Sequence, residues 1–229
     1  MYGRKLVFPV GLMIVSVAWG SSLAVADTAK TDKPQGEQGE MALPPGWTPD
    51  DMSACAAAAT PGAEHEKLQK AVGKWKGEGQ MWMAPDTEPM PTTCTANITS
   101  IMDGHFTKTE FSSEMMGMPF SGLGFYGYDN VTKNYVCTWM DNQGTAMLSG
   151  TGEASPDDKT ITWTYNYHCP ITKKPATMRQ VDHATGDNTM TMELFANDPK
   201  TGKEFKMMSV NYTRSGEAEA ESKHADAQK

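Results

Sequence analysis

The stretch from Gly122 to Ala154, GLGFYGYDNVTKNYVCTWMDNQGTAMLSGTGEA, leaves this chain few ways to fold. It holds most of three runs, Ser121–Tyr128, Asn134–Met140 and Thr145–Ala154, that are rich in aromatic, β-branched and small residues. Each run ends in turn chemistry: Asp129-Asn130, then Asp141-Asn142-Gln143-Gly144, then Ser155-Pro156-Asp157-Asp158. Loops this short make neighbouring strands antiparallel, because a parallel crossover consumes about a dozen residues or more.

The same period of two runs on both sides of this meander. In Gly73 to Met83, Trp75, Gly77, Gly79, Met81 and Met83 alternate with Lys76, Glu78, Gln80 and Trp82. Further strands are expected at Thr92–Met102, Phe106–Glu114, Thr160–His168, Ala176–His183, Thr189–Ala196 and Lys203–Thr213, separated by turn residues such as Asp103-Gly104 and Gly186-Asp187-Asn188. An open sheet of about ten such strands would leave two long unpaired edges, and closure removes them. The expected architecture is therefore all-β, an up-and-down antiparallel barrel of about ten strands over residues 73–214.

What precedes the barrel differs in kind. Arg4 and Lys5 lead an apolar run from Leu6 to Val17, and Ala24-Val25-Ala26 fits the small-x-small cleavage rule, so residues 1–26 read as a secretory signal peptide cleaved after Ala26. The apolar run is shorter than the ~20 residues a membrane-spanning helix needs. Residues 27–49 are polar and proline-rich, a flexible leader. One or two short helices are expected over residues 50–72, where the alanine-rich Asp50–Thr60 stops at Pro61-Gly62 and Ala63–Val72 sets Leu68 and Val72 on one face. The tail, residues 215–229, is charged and reads as disordered.

This organisation bounds the function. Loss of the signal would remove two basic residues and no acids, taking the net charge from −8 to −10 and disfavouring nucleic acid and anionic membrane as partners. The expected location is periplasmic or secreted, with no stable membrane insertion after cleavage. Cys55, Cys94, Cys137 and Cys169 would all enter an oxidising compartment. The favoured arrangement is one bridge among Cys94, Cys137 and Cys169, with Cys55 outside the barrel.

Several motifs dissolve on inspection. Gly122, Gly124 and Gly127 spell Gly-x-Gly-x-x-Gly, but the segment continues as strand and turn where a dinucleotide site needs a helix, so the glycines read as points of sheet bending. The 18 methionines fit core packing, with the Met115-Met116-Gly117-Met118 turn as the place where soft thioethers could meet copper. His65, His105, His168, His183 and His224 show no metal-ligand spacing. No catalytic residues, cofactor motif or metal site can be named. The polar positions within or bordering otherwise apolar or Thr-rich strands are Glu110, Asp141, Arg179 and Glu193. An inward Arg179 could anchor a ligand carboxylate, whereas an outward one would make a cross-strand ion pair. Tyr128 and Trp139 would supply aromatic walls.

The helix carrying His65 and Leu68, the run VGKWKGEG, the long segment MDGHFTKTEFSSEMMGMPFSGLGFYGYDNVTKNYVCTWMDNQGT and the closing EFKMMSVNYTR together resemble the bacterial DUF1579 family of uncharacterised proteins. The Gly73-Lys74-Trp75 opening also resembles the calycins, which include lipocalins, fatty-acid-binding proteins and haem-binding nitrobindins. That resemblance implies a calycin-like barrel with an internal cavity for a small hydrophobic or amphipathic ligand. Ligand binding by Arg179, Trp139, Tyr128, Glu110 and Asp141 is the leading expectation. Haem or copper binding through a barrel histidine or the methionines, and a filled structural barrel, are the alternatives.

Overall fold

Strands with one apolar face and short antiparallel links close on themselves here. The computed structural model describes residues 43–217. The expected signal peptide, most of the leader and the end of the tail lie outside the described residues. The elements are α1 (Pro49–Ala59), α2 (Ala63–Gln69), β1 (Gly73–Met81), β2 (Met90–Ile101), β3 (Phe106–Met115), β4 (Met118–Asp129), β5 (Asn134–Asp141), β6 (Leu148–Ala154), β7 (Thr160–His168), β8 (Pro175–Gly186), β9 (Thr189–Asn197) and β10 (Glu204–Gly216). Each strand pairs antiparallel with its predecessor, and β10 returns to β1, giving a closed ten-stranded barrel. No helix among the described residues is long and apolar enough to cross a membrane.

Local chemistry explains most boundaries. Thr48 caps α1 by accepting from the Asp51 amide at 3.2 Å, the Asp51 carboxylate accepts from the Thr48 amide at 2.7 Å, and Pro49 opens the helix. The orphan carbonyls at the end of α1 are met by Asn130 Nδ2, which reaches Thr60 O at 2.8 Å, and by His105 Nε2 against Ala59 O at 2.8 Å. Between β3 and β4, Met116 (φ 54°) and Gly117 (φ 77°) both adopt left-handed backbone, so the methionine-rich segment is a tight two-residue hairpin. Sheet β6 starts at Leu148 and not at Thr145. Asp141 Oδ1 accepts from the Gln143 amide at 3.0 Å, and Asn142 bonds back to Pro119 and Ser121 on β4, so the chain follows β4 before it turns. At the other terminus β10 runs to Gly216, three residues past the expected strand end at Thr213.

One end of the barrel is plugged. Leu68 of α2 is buried in a cluster with Tyr135, Cys137, Trp163 and Tyr165. Trp75 Nε1 donates to Ala71 O at 2.8 Å, and Arg214 lies 4.2 Å over the Trp75 ring while donating to Lys70 O at 2.9 Å and to Val72 O. Tyr135 donates to the Glu64 carboxylate, and Lys67 bridges Glu64 at 2.9 Å and Asp158 at 2.8 Å.

The expected disulfide does not form, and all four cysteines are free thiols. Cys94 on β2 and Cys137 on β5 are separated by β3 and β4. At about 4.8 Å per strand step their Cα atoms lie beyond the ~7 Å that a disulfide tolerates. Cys169 sits at the β7–β8 turn, where its amide donates to Lys174 O at 2.9 Å, and Cys55 is exposed on α1.

Candidate functional site

The strand registers decide which residues look inward. Trp75, 3% exposed, faces Ala96 on β2 and Arg214 on β10. Following the same rungs around the wall brings Phe111 on β3, Tyr126 on β4, Trp139 on β5, Tyr165 on β7, Asp182 on β8 and Met192 on β9 to the inner face. Phe111, Tyr126 and Trp139 are only partly buried, as are Met178, Gln180, Asp182, Met190, Met192 and Leu194. Inward-facing groups that keep accessible surface border space that side chains do not fill.

The inner wall carries polar chemistry in a mostly apolar setting. Asp182 Oδ2 accepts from Trp163 Nε1 at 2.9 Å, and Gln180 Nε2 lies 2.9 Å from both carboxylate oxygens. Burial pushes the Asp182 carboxyl up to about 6, against the two hydrogen bonds that pull it down. Tyr126 and Tyr165 share a hydroxyl–hydroxyl contact at 3.2 Å, and Cys94 Sγ donates to Tyr212 Oη at 3.4 Å. Burial raises the Tyr126, Tyr165 and Tyr212 hydroxyls well above their ordinary range and pushes the Cys137 thiol up to about 12. The negative charge of Asp182 adds to the effect of burial on all four groups, which stand on β4, β7, β10 and β5. Asp182 is thus felt around much of the wall.

The charge inventory of the two faces differs sharply. Among the described residues, Asp141 and Asp182 are the acids at inward strand positions, and Arg214 is the one basic residue there, already held by carbonyls at the plugged end. At the end away from α2, a cleft of about 620 Å³ includes Met147, Ser149, Asn166, Tyr167 and Ala176 in its lining. Tyr167 and Ala176 belong to the inward register, whereas Ser149, Asn166, His168, Thr177 and Asn197 belong to the outer face, so this cleft lies across the edge of the wall.

The family described as "Protein of unknown function (DUF1579)" matches residues 60–214. The chain belongs to this family. The match begins just after α1 and covers α2, β1 to β9 and β10 as far as Arg214, so the DUF1579 unit in this chain is the barrel with its α2 plug. Among solved structures, the crystal structure of Rv2717c from M. tuberculosis is similar with a TM-score of 0.51 and 15% identity, covering 68% of this chain and 99% of that one. At that identity the likeness concerns the fold alone. No curated protein matches.

The residues singled out from the sequence divide between the two faces of this DUF1579 barrel. Trp139, Tyr128 and Asp141 point inward. Trp139 Nε1 donates to Asp141 Oδ2 at 3.0 Å, and Tyr128 stands at the plugged end, edge-on to Tyr135 and His65. Arg179 and Glu110 point outward. Arg179 pairs bidentately with Glu204, at 3.1 and 2.7 Å, and lies 4.0 Å over the Phe195 ring, so the anticipated inward anchor is committed to the outer surface. Glu110 is exposed beside Asn97 and Lys108. Glu193, also outward, pairs with Lys206.

Asp182, Gln180, Trp163, Tyr126 and Tyr165 escaped the sequence reading. A faint signal was there, since Met178, Gln180 and Asp182 share one face of β8, but period two does not say which face is inner. The histidines stand elsewhere. His65 Nδ1 accepts from the Gly62 amide at 3.1 Å, His183 Nδ1 lies 2.8 Å from Thr160 Oγ1, and His168 is exposed. His224 lies outside the described residues. No group of three or more His, Cys, Asp or Glu among the described residues is placed to hold a metal ion.

Proposed function

We propose that the barrel binds a small, partly apolar molecule in its lumen. The observation that carries this reading is the accessible surface retained by inward residues of β8 and β9, Met178, Gln180, Asp182, Met190, Met192 and Leu194, although they point into a closed barrel. Apolar walls interrupted by a few convergent polar groups are what small-molecule sites generally present. With α2 packed across one end, a ligand would enter from the other.

The test is a titration of the full chain with naphthylmethanol, a neutral apolar probe, read by quenching of tryptophan fluorescence. Saturable one-to-one binding, abolished when Met192→Trp fills the lumen, is the expected result. Absence of saturable binding, or binding indifferent to Met192→Trp, overturns it.

Export belongs to the same proposal and rests on the sequence of residues 1–26. Expressed with that segment in a bacterial host, the protein should be recovered outside the cytoplasm with Asp27 as its first residue, and a retained Met1 would contradict this.

A further inference from the structure

We propose that the lumen selects organic cations: a small amphiphile whose ammonium group pairs with the Asp182 carboxylate while its apolar body lies against Tyr126, Met178 and Met192. The proposal rests on the lumen-binding reading above and names the class of ligand.

The argument begins with what surrounds Asp182. Its hydrogen-bond partners, Gln180 and Trp163, are neutral donors. The groups that feel its charge, Tyr126 from β4, Cys137 from β5, Tyr165 from β7 and Tyr212 from β10, are neutral at ordinary pH, and the rung neighbours Ile161 on β7 and Met192 on β9 are apolar. A carboxylate enclosed by neutral groups carries an uncompensated charge, which is expensive in a low-dielectric interior. The protein does not supply the counter-charge. Among the described residues Arg214 is the one basic side chain at an inward position, and it is held by Lys70 O at 2.9 Å and stacked on Trp75 at 4.2 Å.

A ligand ammonium would supply that missing charge. It would also find the partly buried ring of Tyr126, which packs edge-on against Trp163 with centroids 4.9 Å apart and whose hydroxyl feels the charge of the carboxylate. Burial raises the Asp182 carboxyl only to about 6, so it remains largely ionised at neutral pH. A second acid, Asp141, points inward near the mouth and adds a negative field along the way in. A fatty acid or other carboxylate would meet two acids and no free cation. The inner face therefore inverts the preference that an inward Arg179 would have given.

The experiment compares three probes of one shape: naphthylmethylamine, naphthylmethanol and naphthoate, titrated into the full chain and into Asp182→Asn. In the wild type the amine should bind about tenfold more tightly than the alcohol, the scale of one charge-assisted contact, and naphthoate should bind most weakly. In Asp182→Asn the amine's advantage over the alcohol should fall to within about twofold. A second measurement needs no variant. The amine's advantage in the wild type should grow as pH rises through about 6, where Asp182 ionises, while alcohol binding stays flat. Alcohol binding without an amine preference, or a preference that survives Asp182→Asn or ignores pH, overturns this proposal alone. Silence from all three probes overturns the lumen-binding reading and this proposal with it.

Discussion

The indole nitrogen of Trp163 donates to the carboxylate of Asp182 at 2.9 Å across the β7–β8 ladder. Trp163 is 2% exposed and belongs to the buried cluster beneath α2, whereas Asp182, at an inward position of β8, is only partly buried. The bond therefore ties the best-packed part of the molecule to its inner surface. It also fixes the carboxylate in a setting where ionisation is costly but not suppressed.

That setting makes the stability of the barrel depend on pH in a definite direction. The Asp182 carboxyl moves from an ordinary 3.8 to about 6 in the fold, so between those values the folded chain holds a proton that the unfolded chain has released. The group then favours folding at low pH, and this contribution disappears as pH rises through about 6. A shift of about two units corresponds to about 3 kcal/mol. Asp182→Asn removes the titration, so the stability of the wild type relative to this variant should rise by that order as pH falls from about 7 to about 4. Urea unfolding of both proteins across the range measures it, and a constant difference would contradict the assignment.

The plug should be a stability element in its own right. Leu68, 7% exposed, is the apolar residue by which α2 enters the cluster around Tyr135 and Trp163. Leu68→Ala should cost about 2–5 kcal/mol, the range for truncating a buried leucine, and should speed amide exchange first at the plugged end. A loss below about 0.5 kcal/mol, the usual scale of surface changes, would show that α2 merely rests on the barrel.

Close approach of β1 to β10 depends on Gly79. A Cβ there would stand 2.0 Å from Ser209 O and 2.8 Å from Val210 Cα, so strand backbone would have to move. Gly79→Ala should lose at least about 1–3 kcal/mol. Gly144→Ala is the matched control, with its nearest atom at 3.8 Å, and thermal unfolding should barely register it.

Arg179 gives a prediction of near silence. Its pairing with Glu204 at 2.7 Å is on the outer face, with side chains 36% and 47% exposed. Arg179→Ala should change stability by about 1 kcal/mol or less and leave the affinity for naphthylmethanol unaltered. A marked loss of binding would place this side chain functionally inside the barrel, against its geometry.

The sequence made the strands legible because period two and turn chemistry act locally. Thr160–His168 was anticipated with the bounds it has, and most other strands within three residues. Trp139, Tyr128 and Asp141 stand on the inner face, which they share with Gly122 and Gly124 but not with Gly127. The face of Arg179 was left open and that of Glu110 unassigned for a physical reason: β3 and β8 carry polar groups on both faces, and only the ring of registers, closed by a pairing between residues about as far apart as the domain allows, settles which face is inner. Asp182 was hidden by the same ambiguity. The disulfide expectation failed because compartment and parity say nothing of how many strands separate two thiols.

The seam between β1 and β10 joins Trp75 to Arg214 and Lys74 to Gly216. A ribosome must deliver nearly the whole domain before that last ladder can zip, and until then both flanks of the meander expose unpaired backbone. Loop-closure entropy over such a distance slows folding, and a chain ending short of β10 would retain two sticky borders instead of none. The step that completes this barrel is also the one that removes its free edges, which makes the final thirteen-residue strand β10 the element that shields the sheet from pairing with another copy.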